Sequence, residues 1–331
     1  MSQSIKGLLA FILCVLVITS NAQTNNQKLA NSKTPVSVNG KLQVIGTQLC
    51  NENSKPVVLA GISFGWHCFW PKFYNESTVN WLVTDWKCNV VRAAMGVGPK
   101  NSYLQNPSFA LKCVTTVVDA AIKNGIYVLI DFHSHELRTN EAKGFFTKMA
   151  NKYKDSPNVI YEIYNEPVGY SWKEVKQYSE EVIATIRSID ADNIILVGST
   201  HWDQDVDSVA ANPILGQKNI MYTMHFYAGT HKKWLRDRTE DAMNKGVPIF
   251  ISECAGMDAS GNQGLDVEEW NVYLDWMKTN KLSWLSWSMS NKEETCSMIP
   301  AKSTKLAGWK ENELKEWGRL SRQAVRNCNQ D

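Results

Sequence analysis

Val159-Ile160-Tyr161-Glu162-Ile163-Tyr164-Asn165-Glu166-Pro167 is a β-branched and aromatic run closed by Asn-Glu-Pro. Such a run reads as a buried strand, and the proline after Glu166 limits its continuation. Glu166 is thereby placed at the carboxyl end of a strand, where the chain leaves the core. A carboxylate there either meets water as a strand terminator or serves as a catalytic group at the mouth of a barrel. This stretch alone does not separate the two.

Working outward, apolar strand-like runs alternate with amphipathic helix-like segments eight times. The strands are expected at 57–64, 89–95, 126–133, 159–165, 194–198, 220–227, 248–253 and 284–289. Helices are expected at 77–87, 110–124, 142–153, 172–188, 235–245 and 267–279, with a last one near 311–326. Residues 36–44 read as a hairpin turning at Asn39-Gly40. Eight such units in about 280 residues match an α/β fold of the (β/α)8 TIM-barrel type with a short N-terminal β-hairpin. A doubly wound sheet is the competitor, but no Gly-x-Gly-x-x-Gly follows the first strand.

Residues 1–22 read as a secretory signal: Lys6 gives a positive start, 8–19 are apolar, and Ser20-Asn21-Ala22 offers small residues for cleavage. The apolar run is too short to span a membrane, and no later stretch reaches the roughly 18 residues a span needs. A retained anchor is the alternative. The expected mature chain, 23–331, is a secreted, soluble monomer with a single catalytic domain. It shows no Pro/Ser/Thr linker, repeat or carbohydrate-binding module. Without Cys14 it keeps Cys50, Cys68, Cys88, Cys113, Cys254, Cys296 and Cys328, an odd number that implies an unpaired thiol or an intermolecular bond. Asn75-Glu76-Ser77 is its one glycosylation sequon. A net charge of +2 argues against a nucleic-acid partner. Thirteen tryptophans exceed what a core needs and suggest stacking surfaces for flat sugar rings.

In a barrel, the carboxyl ends of the strands converge on one site. Arg92 lies in the second strand, and Asp131-Phe132-His133-Ser134-His135 ends the third. Asn165-Glu166 ends the fourth, His225-Phe226-Tyr227 the sixth and Ser252-Glu253 the seventh. Trp284 and Trp287 lie in the eighth, and Trp66 and Trp70 follow the first. All six histidines follow the end of an expected strand. A lone histidine is more often a satisfied core or surface residue than a catalyst; clustering at one face reverses that. Two carboxylates facing each other across a barrel mouth suit glycoside hydrolysis, in which one protonates the leaving oxygen and the other attacks the anomeric carbon. The roles demand opposite environments. Strand spacing does not say which glutamate takes which. His133 and His225 would orient sugar hydroxyls, Asn165 is placed for the 2-hydroxyl, and Trp287 would stack under the reacting sugar.

These residues carry a resemblance to glycoside hydrolase family 5, and within it to the bacterial-type β-1,4-endoglucanases of subfamily 2. It runs from about residue 36 to the end of the barrel through Asn89-Val90-Val91-Arg92, Ile130-Asp131-Phe132-His133, 159–167, Trp202-Asp203-Gln204-Asp205-Val206, 225–231, Ile251-Ser252-Glu253 and 287–294. The resemblance implies that Glu166 is the acid/base, protonated near neutral pH, and that Glu253 is the ionised nucleophile. Arg92, His133, Asn165, His225 and Tyr227 match the supporting shell. Trp287 also matches that shell as a substrate-binding residue, Lys292 and Glu294 match groups that bind sugar hydroxyls on the non-reducing side, and Trp202 matches a stacking residue on the leaving-group side. Trp66 and Trp70 are further substrate-binding candidates.

Three positions depart from the family pattern. Cys254 stands where tryptophan usually follows the nucleophile, Phe132 replaces a tryptophan, and residues 64–70 do not align cleanly. The expected substrate is β-1,4-glucan, with xylan, mannan or mixed-linkage glucan as alternatives, and no cofactor is implied. Two rivals from other classes remain. One is a metal-dependent barrel ligating through His133, His135, His201, His225 and Glu166, although no Asp ends the eighth strand. The other is a non-catalytic glycan-binding barrel, which would typically lack one carboxylate.

Overall fold

The computed structural model describes residues 33–330. The signal expected over 1–22 lies outside them. The chain opens with helix α1 (Pro35–Asn39) and a two-stranded hairpin, β1 (Gln43–Ile45) with β2 (Gln48–Cys50). Eight parallel strands then close a barrel: β3 (Ala60–Phe64), β4 (Val90–Gly96), β5 (Tyr127–His133), β6 (Val159–Glu162), β7 (Ile195–Val197), β8 (Ile220–Tyr227), β9 (Ile249–Ala255) and β10 (Trp284–Met289). Neighbours in sequence are neighbours in space, and β10 pairs with β3. The helices are α2 (Glu76–Thr84), α3 (Pro107–Asn124), α4 (Thr139–Tyr153), α5 (Trp172–Arg187), α6 (Thr200–Asp203), α7 (Val206–Ala211), α8 (Lys233–Asn244), α9 (Val267–Asn280) and α10 (Glu316–Asn329).

The hairpin sits later than the sequence suggested. The stretch read as its first strand is α1, because Thr34 caps the helix through Ser37 N–H at 3.2 Å and Pro35 occupies the first helical turn. A threonine cap followed by proline favours a helix start, and this outweighs the Asn-Gly signal. The turn between the strands falls at Gly46, with φ +60°. Strand β6 ends its ladder at Glu162, so Asn165 and Glu166 stand on the segment leaving the barrel. Helices α6 and α7 were not expected.

The period of two decides what each strand presents inward. Leu129 lies in the apolar cluster that fills the barrel floor with Val90, Tyr127, Ile160, Met221, Phe250 and Leu285, plugged from below by Leu42 and Leu49. Ile130 and Phe132 belong to the cluster between strands and helices. Asp131 and His133 therefore share the inward face with Leu129, one and two steps nearer the mouth. Asp131 pairs with Glu162 across β5 and β6, and His225 with Glu253 across β8 and β9. A buried layer of charge thus rests on an apolar floor.

Among the described residues, Cys50, Cys68, Cys88, Cys113, Cys254 and Cys296 are thiols. Burial pushes Cys68 and Cys113 up to about 11. In the sequon, Asn75 caps α2: its Oδ1 accepts from Thr78 N–H at 3.0 Å and its Nδ2 donates to Lys72 O at 2.6 Å.

Candidate active site

Arg92 is fully buried and organises the mouth. Its Nε donates to Glu162 Oε2 at 2.6 Å and its Nη1 to Glu253 Oε2 at 3.0 Å; Nη2 reaches Asp131 Oδ2 at 2.9 Å and Asn165 Oδ1 at 2.6 Å. A guanidinium offers donors in a fixed fork, so one residue sets the position of three carboxylates and an amide. Asn165 is left with a buried Nδ2 that has no partner, a donor open to a ligand. Glu253 also accepts from Tyr227 Oη at 2.8 Å.

Glu166 has different company. Its Oε1 lies 3.0 Å from His225 Nδ1, and its Oε2 lies 3.7 Å from His135 Nδ1. His225 Nε2 faces Ser252 Oγ at 2.8 Å, Asp203 Oδ2 at 3.3 Å and Glu162 Oε1 at 3.9 Å. Oxygens of Glu166 and Glu253 approach within 4.8 Å.

Burial alone would raise Glu166, but the hydrogen bond and charge of His225 outweigh it and hold the carboxyl below its ordinary value. Burial, then the negative charge on Glu166, push Glu253 up against Arg92 and Tyr227. His225 is held well above the usual imidazole range; burial opposes this, and Asp203, Glu162 and Glu166 overcome it. Across this pair the imidazole is shifted toward its protonated form and the Glu166 carboxyl toward its ionised form. His133 is kept neutral, by burial and by Arg92. Its Nδ1 bonds Asp131 Oδ2 at 2.6 Å, and its ring stacks on Trp287 at 5.3 Å and 10°.

Aromatic groups flank the carboxylates on both sides. Trp66 packs edge-on to His133 at 4.4 Å and lies 5.9 Å from His135, which places it at the mouth. His67 is fully buried and accepts from Gly96 N–H at 3.1 Å, so it belongs to the wall. Trp70 packs beneath Gly65, where a Cβ would come within 2.6 Å of its ring. Phe69 stands half-exposed between the two tryptophans. Lys292 Nζ holds Glu294 Oε2 at 2.5 Å on the loop after β10. Across the mouth, a cavity of about 470 Å³ is lined by Glu166, His201, Trp202, Tyr227, His231 and Trp234 among others. Trp202 and Trp234 are 42% and 43% exposed.

Two of the departures turn out to face away from the mouth. Cys254 and Phe132 lie in the helix–strand cluster; Phe132 packs on Phe145 at 5.8 Å, and Cys254 donates to Leu285 O at 3.3 Å. Of the groups proposed for a metal, Glu166 and His225 join Glu253 in a cluster with ligand atoms within 4.8 Å of one another. Asp131, Glu162, Asp203 and Trp234 were not singled out from the sequence. For Asp131 and Glu162 a signal existed: a carboxylate in the middle of an otherwise apolar strand must find a buried partner.

The model of the cellulase family (glycosyl hydrolase family 5) matches residues 50–293 of this chain. An endoglucanase of Clostridium saccharobutylicum is 37% identical, over 98% of this chain and 73% of that protein. Endoglucanase Z of Dickeya dadantii is 42% identical, over 87% of this chain and 65% of its own length. A solved structure from Cytophaga hutchinsonii superposes with a TM-score of 0.88 at 43% identity, covering 90% of this chain and 98% of that one. The catalytic domain of Thermobifida fusca endoglucanase Cel5A gives 0.84 at 32% identity, covering 88% and 99%. A variant of it has been solved in complex with cellotetraose.

Proposed function

Since this chain belongs to the cellulase family, glycosyl hydrolase family 5, we propose that it is a secreted endo-β-1,4-glucanase that cleaves internal bonds with retention of configuration. The observation that carries the reading is the approach of Glu166 and Glu253 to within 4.8 Å, each in its own shell of donors. Retaining enzymes hold their carboxyl groups ~5–5.5 Å apart, and inverting ones hold them farther apart to admit water.

A β-1,4-glucan lies across the mouth with the reacting sugar over Trp287. The proton on His225 Nδ1 passes to Glu166 along their 3.0 Å contact, and Glu166 hands it to the glycosidic oxygen as the C–O bond breaks. Moving that proton neutralises both Glu166, whose charge raises Glu253, and His225, whose charge lowers it. Arg92 and Tyr227 then hold Glu253 ionised as it bonds to the anomeric carbon. In the second half, Glu166 takes a proton from water, whose oxygen displaces Glu253. The amide of Asn165 is the donor available to the 2-hydroxyl. The proton spent from His225 is restored by water through Glu166, and every group comes from one chain.

Glu166→Gln and Glu253→Gln are each expected to abolish hydrolysis of carboxymethylcellulose while leaving the far-ultraviolet spectrum unchanged. NMR of the first product should show the β-anomer. Carboxymethylcellulose, xylan and mannan assayed side by side settle the sugar; clear preference for mannan or xylan would replace the glucanase reading with that of another β-1,4-glycan. Secretion is checked by the mature amino terminus in culture medium, expected at residue 23.

A further inference from the structure

Asp203 is fully buried at the mouth, next in sequence to the exposed Trp202. Its Oδ1 accepts from Ser199 N–H at 2.6 Å, which accounts for one oxygen. Its Oδ2 is buried without a well-formed hydrogen bond and lies 3.3 Å from His225 Nε2. The backbone that delivers it is strained: His201, Trp202 and Asp203 have φ of +58°, +54° and +60° in succession. Non-glycine residues avoid that region, and runs of them persist only where the surroundings impose them, most often at functional sites. This turn points a tryptophan outward into the cleft and a carboxylate inward to the histidine that contacts Glu166. Satisfying Ser199 alone needs neither a second oxygen nor a charge.

The imidazole of His225 is surrounded. Glu162 comes from β6, Glu166 from the segment after it, and Ser252 and Glu253 from β9; Arg92, Asp131 and His133 stand behind them, and His231 lies toward the cleft. Asp203 itself faces His225, Glu166, Glu162 and Tyr164. At the Nδ1 edge the partner is Glu166 Oε1 at 3.0 Å; at the Nε2 edge Ser252 Oγ takes the hydrogen bond at 2.8 Å, and Asp203 Oδ2 at 3.3 Å is the nearest carboxylate.

Building on the acid/base reading of Glu166, we propose that Asp203 is a positioning residue for proton transfer, anchoring the Nε2 edge of His225 so that Nδ1–H is presented to Glu166 and the pair retains the proton used on the glycosidic oxygen. In that step the Nδ1–H bond breaks as Oε1–H forms, and Oε1–H breaks as the leaving hydroxyl forms. His225 is left neutral beside ionised Glu166, and water restores the proton in the second half-reaction. The charge of Asp203 is the first of the causes that raise His225 against burial. Burial raises Asp203 as well, so Nε2 and Oδ2 share one proton, held on the ring while Oδ2 accepts.

The test is Asp203→Asn, which keeps an oxygen for Ser199 N–H and tolerates a left-handed backbone, with Asp203→Ser as a second variant. Removing an acidic group from the chain weakens its hold on the last proton. The alkaline limb of kcat/KM on carboxymethylcellulose should move down by roughly one pH unit, with the acidic limb in place. Nitrogen NMR of His225 at pH 7 should show both ring nitrogens protonated in the native protein and one in each variant. A profile lowered equally at every pH, or ring signals identical in native and variant proteins, would overturn the role. Should the native protein cleave no β-1,4-glycan, the functional reading fails, while the ring-nitrogen comparison still decides the Asp203 contact.

Discussion

Burial and the charge on Glu166 push Glu253 up, while His225, Arg92 and Tyr227 pull it down. Of the three supports, Tyr227 is the one that can be deleted without stranding a buried charge. Tyr227→Phe removes the 2.8 Å hydrogen bond and little volume. A carboxylate that loses a donor binds its proton more tightly, so the Glu253 pKa rises further. Since the nucleophile reacts as the anion, activity should then be lost at a higher pH on the acidic side. We expect the acidic limb of kcat/KM to move up by about one unit, with kcat lower by on the order of tenfold or more. The melting temperature should hardly change. An acidic limb that stays in place would show that Glu253 does not govern it.

Three elements shape the wall of the cleft beside Glu166, the leaving-group side under the proposed function: the left-handed turn α6, helix α7 and the start of α8. Arg238 of α8 ties them together, bonding Asp205 Oδ1 at 2.7 Å while its guanidinium lies 5.3 Å from the ring centre of Trp234. Trp202 and Trp234 therefore keep their relative positions through one arginine. Sugar rings stacked on them would sit beyond the scissile bond. Trp202→Ala and Trp234→Ala should each raise KM for a cellopentaose roughly tenfold, about 1.4 kcal/mol of lost stacking. Hydrolysis of an aryl β-cellobioside, which carries no sugar on that side, should be unaffected; an equal loss on both substrates would move the platforms elsewhere. The sequence displayed Trp202 but not its geometry, because a left-handed turn is imposed by packing and leaves no periodic signal. Trp234 was hidden for a related reason: on a helix start, an indole reads as core until the fold shows it in the cleft. The barrel strands were legible because their apolar runs and spacing are local properties. The hairpin was displaced because two local signals competed, and the Thr34-Pro35 cap won. Cys254 and Phe132 looked like changes to the site and are not, since period-two alternation turns both toward the helices.

At the scale of the whole molecule, the barrel stacks a charged layer on an apolar floor, and one guanidinium holds the layer together. Arg92 is ion-paired to Asp131, Glu162 and Glu253, all nearly or fully buried. Such a cluster is weak evidence for stability as such, yet removing its permanent cation leaves buried anions undercompensated, which typically costs about 3–5 kcal/mol. Arg92→Met should accordingly lower the melting temperature by on the order of ten degrees at pH 7. The sign with pH follows from linkage. Without Arg92 the three carboxylates have folded-state pKa values raised above those of the unfolded chain. Their contribution is intact below the unfolded values and is lost as pH rises through the folded ones. The deficit relative to the native protein should thus shrink toward pH 5 and widen toward pH 8. Glu162→Gln added to Arg92→Met removes one stranded charge and should restore part of the loss, although Glu162→Gln alone is destabilising because it breaks the 2.6 Å bond to Arg92. That reversal of sign between backgrounds, read by calorimetry across pH, distinguishes electrostatic compensation from packing. A packing role for Arg92 would give a deficit independent of pH and additive losses in the double variant.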